Sequence, residues 1–111
     1  MLKIIYTPNR GDIIWLNFSP QKGKEQAGKR PALVISPKVY NRKVGLALCC
    51  PITSRVKGYP FEVSISGSRT SAVLSDQIKS LDWKARNARK KGQVTSTELA
   101  EVRAKIKALV L

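Results

Sequence analysis

Gly11-Asp12-Ile13-Ile14-Trp15-Leu16-Asn17-Phe18 decides how the rest of this chain is read. From Ile13 to Phe18 the run is dense in β-branched and aromatic side chains and too short for a good helix, so it reads as a strand. Outward from it, Ala32 to Ser36, closed by Pro37, reads as a second strand, and Gly45 to Thr53 as a third. Pro51 lies near the end of that third run and demands an edge, an end or a bulge, because proline cannot donate to a ladder. Phe61-Glu62-Val63-Ser64-Ile65-Ser66 alternates apolar with polar, which buries one face and wets the other. Ala72 to Leu81 holds one or two further short strands. Several short strands separated by turn signals predict a small barrel. Between the first two strands, Ser19 to Pro31 is a long loop for so small a chain, and loops of that length are usually functional or mobile.

The period changes at the C-terminus. Thr95 and Glu98 have the spacing of a capping box, and Leu99, Val102, Ile106, Leu109 and Val110 recur at helical intervals. Glu101 and Lys105 stand at i and i+4 on the other side, in the favourable order. The expected class is therefore mainly β or α+β: one domain over residues 1–111, a small barrel carrying a C-terminal amphipathic helix.

Charge narrows the function. The 111 residues hold 21 Lys+Arg against 7 Asp+Glu, a formal net charge of +14. Positive self-repulsion of that size disfavours the compact state unless a polyanion is near: a nucleic acid, an anionic membrane or an acidic protein. No apolar run approaches the ~20 residues of a spanning helix, and the start lacks the apolar region of a signal peptide, so the chain is read as cytoplasmic. Cys49 and Cys50 agree with a reducing compartment. As neighbours in a strand they point to opposite faces, poorly placed to bridge or chelate.

The chain has no histidine. That removes the commonest general base and metal ligand, and with it the Ser-His-Asp arrangement. The two adjacent cysteines do not supply a zinc site, and the acidic residues form no Asp-x-Asp cluster for two metals. No phosphate-binding glycine loop appears. Neither a metal nor a cofactor is expected. What remains is Arg, Lys, Glu, Asp, Ser and Thr, and one reaction suits that inventory. RNA carries its own nucleophile, the 2′-hydroxyl, beside the scissile phosphate. An enzyme then needs to align that hydroxyl, stabilise phosphoryl charge and ease proton movement. Glu25-Gln26-Ala27-Gly28-Lys29-Arg30-Pro31 and Thr53-Ser54 hold such parts at strand ends. Taken singly, Glu25 and Arg30 also fit a surface ion pair, and Thr53 the cap of a turn.

Taken together, Gly11 to Trp15, Gly23 to Ser36, Pro51-Ile52-Thr53-Ser54, Lys57-Gly58-Tyr59-Pro60-Phe61-Glu62-Val63 and Ser75 to Arg86 closely resemble the MazF/PemK family of toxin ribonucleases, nearest the enterobacterial MazF type. The resemblance runs in order along essentially the whole chain. It implies an SH3-like barrel with short helices, a homodimer, and metal-independent, sequence-specific cleavage of single-stranded RNA in a groove between subunits. It also implies a cognate MazE-like antitoxin whose acidic tail occupies that groove.

On the family's pattern the essential arginine falls on Arg30, the essential threonine on Thr53 and the first-loop glutamate on Glu25. Arg30 is expected to stabilise phosphoryl charge, with proton donation to the leaving oxygen as a second role, Thr53 to hold the scissile phosphate, and Glu25 to position or deprotonate the 2′-hydroxyl. Asp76 and Gln77 fall on a pair that contacts bases, and Ser54, Lys57 and Tyr59 are expected groove contacts. In the PemK branch an arginine two residues before the aspartate acts in catalysis. Here that position is Leu74, so that branch's acid–base roles do not transfer to Asp76.

Other features stay open on the sequence alone. Lys84, Arg86, Arg89, Lys90 and Lys91 form either a solvated face or an RNA-backbone patch. Trp15 and Trp83 fit core or interface positions better than base stacking. Asp76, in an apolar stretch, calls for hydrogen-bond partners or a ligand. Two other functions compete: a toxin of the same barrel shape that poisons DNA gyrase, and a non-catalytic RNA-binding barrel.

Overall fold

The computed structural model describes residues 5–18, 28–65 and 71–111. Strand β1 (Asp12–Phe18) forms where its β-branched and aromatic run predicts. Strand β2 (Gly28–Val34) begins and ends earlier than the expected Ala32 to Ser36. Residues 28–33 lie antiparallel to β1, from Phe18 opposite Gly28 to Ile13 opposite Leu33. Pro31 is tolerated there because the next strand joins β2 only from Ala32 onward. The part of the expected loop from 19 to 27 lies outside the described residues.

Helix α1 (Lys38–Val44) was not expected from periodicity, because Val39, Tyr40 and Val44 are all exposed and make no apolar stripe. Its end is nonetheless written locally. Gly45 takes φ +81° and donates its N–H to the Asn41 carbonyl, and Arg42 and Lys43 sit in the last turn, where the helix dipole favours cations. Strand β3 (Ala47–Thr53) follows, then β4 (Glu62–Ser64), β5 (Ala72–Leu74), a turn of 3-10 helix (Ser75–Gln77) and β6 (Lys79–Leu81). The predicted stretch from Ala72 to Leu81 thus resolves into two strands around a turn. Strand β7 (Arg89–Gln93) was hidden in the basic run, which carries no alternation. Helix α2 (Ser96–Val110) starts at the predicted capping box, with Thr95 and Glu98 exchanging side-chain-to-backbone hydrogen bonds.

The strands form one antiparallel sheet in the order β4-β5-β3-β2-β1-β7, with β6 also paired to β3. The small barrel is thus a curled sheet whose edge strands β4 and β7 do not pair with each other. Two apolar clusters lie on its two faces. Ile14, Leu16, Ala32, Val34, Cys49, Leu81 and Trp83 fill one; Leu33, Cys50, Val63, Val73 and Val102 fill the other, with Ile106 against them. Cys49 and Cys50 therefore point to opposite faces, as the strand period requires, and both are free thiols. Of the expected α2 stripe, Val102 is fully buried, while Leu109 and Val110 are exposed. Lys105, expected to pair with Glu101, instead donates from Nζ to the Pro60 carbonyl at 2.5 Å. Trp83 is core, and its indole N–H donates to the Asn41 carbonyl at 3.0 Å. Among the described residues no helix is long and apolar enough to cross a membrane.

Asp12 is 3 % exposed and joins three segments. Its Oδ2 accepts from the Tyr6 hydroxyl at 2.5 Å and from the Asn9 amide at 3.0 Å, and Lys90 Nζ on β7 stands 3.6 Å from Oδ1. Burial, reinforced by that carboxylate, holds the Tyr6 hydroxyl far above the ordinary tyrosine range. Asp12→Ala would strand these donors and is expected to cost about 3 kcal/mol in a denaturant melt. The buried thiols give a second test. Burial, then its neighbour Cys50, pushes Cys49 from 9.0 up to about 12; burial, then Asp76, does the same to Cys50. A thiol whose folded value is raised contributes stability in full below its unfolded value and loses it as pH rises toward the folded one. Melts taken from pH 8 to pH 11 should therefore show wild type losing more stability above about pH 9 than a Cys49→Ala/Cys50→Ala variant. An equal loss in both proteins would refute this.

Candidate nucleic-acid interface

The beginning of β2 and the end of β3 run past each other beyond their ladder. Ala32 pairs with Pro51, and the same register counted on by two residues brings Arg30 level with Thr53. Gly28, at φ +103°, turns the chain into this approach in a conformation that other residues rarely adopt. Between the two strand ends lies a cavity of about 480 Å³, lined by Lys29, Arg30, Pro31, Pro51, Ile52, Thr53, Ser54, Ser71, Leu74 and Gln77. Beside it is a second of about 240 Å³, lined by Thr53, Arg55, Lys57, Tyr59, Phe61, Glu62, Leu74, Asp76 and Gln77. Thr53, Leu74 and Gln77 border both, so the two form one continuous groove.

Thr53 does make a turn, as its simplest reading required: its Oγ1 accepts the Arg55 amide at 3.0 Å. That bond uses an oxygen lone pair and leaves the hydroxyl proton free to donate. The turn therefore orients the hydroxyl without consuming its donor. The segment from Ser54 to Phe61 is the outer wall. It is held by Glu62, whose carboxylate accepts the backbone N–H of Lys57 and of Gly58. Lys57 Nζ stands 5.9 Å from the centre of the Tyr59 ring, within cation–π range. The floor is the 3-10 turn carrying Asp76 and Gln77.

Seven of the eight expected residues meet in this groove. Arg30, Thr53, Ser54 and Gln77 line the larger cavity, and Lys57, Tyr59 and Asp76 the smaller. The eighth, Glu25, lies outside the described residues. Asp76 is exposed rather than buried, so the 3-10 turn delivers it to solvent and it needs no internal partner. Leu74 lies in both cavities, at the position where the PemK branch has its arginine. Sequence reasoning passed over Lys29, Arg55, Phe61, Glu62 and Ser71. Lys29 and Arg55 adjoin expected site residues and were within reach; Ser71 carries no local signal.

The basic run lies elsewhere. Lys84 and Lys91 stand over the rings of Trp83 and Trp15, and Lys90 pairs with Asp12. Arg86 donates to the Asn17 carbonyl. Arg86, Lys90 and Lys91 thus fasten β7 and the turn before it to β1, a role between the two readings the sequence left open. Trp15 is half-buried beneath Lys91.

Chemically the groove offers guanidinium and ammonium groups, oriented hydroxyls, an aromatic wall and a carboxylate on its floor. Among the described residues no three His, Cys, Asp or Glu side chains converge as a metal site would require. The inventory suits a chain of phosphates with bases attached.

Comparison with known proteins agrees with that chemistry. The sequence profile of the PemK-like, MazF-like toxins of type II toxin-antitoxin systems matches residues 9–110. The endoribonuclease toxin MazF of Escherichia coli (strain K12) is 54% identical over 106 residues, spanning 95% of this chain and 96% of that protein. Endoribonuclease PemK of Escherichia coli is 34% identical over 99 residues, spanning 84% and 74%. Among solved structures, a MazE-MazF crystal structure from Deinococcus radiodurans superposes with a TM-score of 0.89 at 48% identity, covering 96% of this chain and 97% of that one.

Proposed function

The chain belongs to the PemK-like, MazF-like family of type II toxins, and from that premise we propose that it is a sequence-specific endoribonuclease that cuts single-stranded RNA without a metal. The observation that carries the proposal is the approach of Arg30 and Thr53 across one cationic cavity, in a chain without histidine.

In this reading the scissile phosphate sits in the larger cavity. Arg30 offers forked donors to the phosphoryl oxygens and stabilises charge as it builds. Thr53, its oxygen anchored by the Arg55 amide, turns its proton toward the same phosphate. Glu25 accepts or steers the proton of the 2′-hydroxyl. The 2′-oxygen attacks phosphorus as its proton passes to Glu25, and the bond to the 5′-oxygen breaks as that oxygen takes a proton from Arg30 or from water, leaving a 2′,3′-cyclic phosphate and a 5′-hydroxyl. Ser54, Lys57, Tyr59, Asp76 and Gln77 hold the flanking bases and backbone along the groove. Asp76 is assigned to base contact, and the acid–base role of the PemK branch is not carried over to it, since Leu74 stands where that branch has its arginine.

The partners follow from the family. Solved relatives are MazE-MazF complexes, and an acidic MazE-like antitoxin would meet the same cations that RNA does. The working unit is a homodimer, with the groove running between subunits, and the compartment is the cytoplasm. The gyrase-poisoning and binding-only alternatives lose ground because the curated relatives at 54% and 34% identity are named as endoribonucleases.

Purified protein with excess EDTA should cut a long single-stranded RNA at one short recurring sequence and leave 5′-hydroxyl ends; no cutting of several diverse RNAs by folded, antitoxin-free protein would overturn the reading. Arg30→Ala should lower the cleavage rate by about 10²- to 10³-fold with near-native melting, as removal of a charge-stabilising donor does. Thr53→Val should lose roughly 10²-fold while Thr53→Ser keeps most activity, because the hydroxyl rather than the methyl group is used. Full activity in the valine variant would remove Thr53 from the mechanism.

A further inference from the structure

The smaller cavity is lined by two carboxylates, Asp76 and Glu62, and Glu62 is the one held by backbone donors. Glu62 Oε1 accepts the Gly58 amide at 2.7 Å and the Lys57 amide at 3.2 Å, and Oε2 accepts the Lys57 amide at 3.0 Å. Glu62 sits at the start of β4, opposite Leu74 of β5, so its own backbone is fixed by the sheet. From that base it reaches back to a segment that makes no ladder of its own. Gly58, at φ +79°, lets two successive amides converge on one carboxylate. The Glu62 amide in turn donates to the Tyr59 carbonyl at 3.0 Å, and Lys105 of α2 takes the carbonyl of Pro60. The residues that this arrangement displays are Lys57 and Tyr59.

We propose that Glu62 is a positioning residue for the RNA-binding wall: by holding the Lys57 and Gly58 amides, it presents the Lys57 ammonium and the Tyr59 ring to the substrate before substrate arrives. It touches neither the reacting atoms nor a base. The inference rests on the endoribonuclease reading above. Preorganisation of this kind acts on substrate binding, because a wall that must be ordered by the ligand weakens its affinity. A glutamine at position 62 keeps one carbonyl acceptor but loses the negative charge, and sets an NH₂ against the Lys57 amide where Oε2 now accepts, so the hold on the two amides weakens.

The test compares wild type, Glu62→Gln, Lys57→Ala and the double variant on a short cleavable RNA, and on the same oligonucleotide with a 2′-deoxy residue at the cut site. Glu62→Gln should raise KM, and Kd for the uncleavable oligonucleotide, by about tenfold, the scale of a lost charge-assisted hydrogen bond, with kcat changed less than about twofold. In the double variant the two losses should fall well short of multiplying, because Glu62 acts through Lys57. Gly58→Ala disturbs the same wall without touching Glu62, since an added Cβ meets no atom within 4 Å yet φ becomes strained. It should reproduce the KM effect. A fall in kcat at constant KM would make Glu62 a participant in the chemistry and overturn the proposal. Fully multiplying losses, or an unchanged KM in Gly58→Ala, would also overturn it. Failure of wild type to cleave any RNA would sink the nuclease reading, and the oligonucleotide affinities of the four proteins would still judge Glu62.

Discussion

Strand β3 has to satisfy three neighbours at once, and the groove exists because it does. On one side it pairs with β2 through residues 49–51. On its other side Ala47 to Cys49 pair with β6, and Ile52 and Thr53 pair with β5. Pro51 stands at the handover between β6 and β5, where a missing N–H disturbs neither ladder. The strand also sorts the core, sending Cys49 to one cluster and Cys50 to the other. A slip of one residue would exchange the two clusters and turn Thr53 to the other face of the sheet. The position of Thr53 is thus set by apolar packing several residues away.

The rest of the groove is held by polar contacts that leave functional atoms unspent. Thr53 accepts through its oxygen and keeps its proton; Glu62 engages its carboxylate with two backbone donors and leaves the Lys57 and Tyr59 side chains to the groove. Each bond fixes a side chain or loop that would otherwise lose conformational freedom on binding. The Asp12 network does comparable work away from the groove, tying the segment before β1 and the edge strand β7 to the sheet.

Elements that bury one face and wet the other were legible in the sequence. β4 and α2 announced themselves by period, α2 also by its cap, and β1 by its density of β-branched and aromatic residues. α1 and β7 were not, because α1 is held by the buried Asn41, which donates to the Pro8 and Ser36 carbonyls, rather than by an apolar stripe. β7 is an edge of lysines and arginine, and its contacts are with aromatic rings and one carboxylate. The limits of β2 were misjudged because a proline reads as a boundary when it lies in a strand that has so far gained only one neighbour. Within the site, Arg30 and Thr53 were found through resemblance. Glu62 went unassigned because its role is to bind backbone amides, and nothing in a sequence marks which amides a carboxylate will meet.

The +14 charge takes on a different meaning once its members are placed. Lys84, Lys90 and Lys91 sit against rings or Asp12, and Lys105 on a carbonyl. Lys29, Arg30, Arg55 and Lys57 line the groove, so four cations converge on its two cavities. RNA and an acidic antitoxin segment would compete for that field, and neither needs a separate site. Each would also relieve the repulsion that opposes folding, so either ligand would stabilise the folded chain by an amount that grows with its free concentration relative to its Kd. An antitoxin that inhibits by filling the groove would therefore also protect the toxin from unfolding: inhibition and stabilisation would be two readings of one charge pairing.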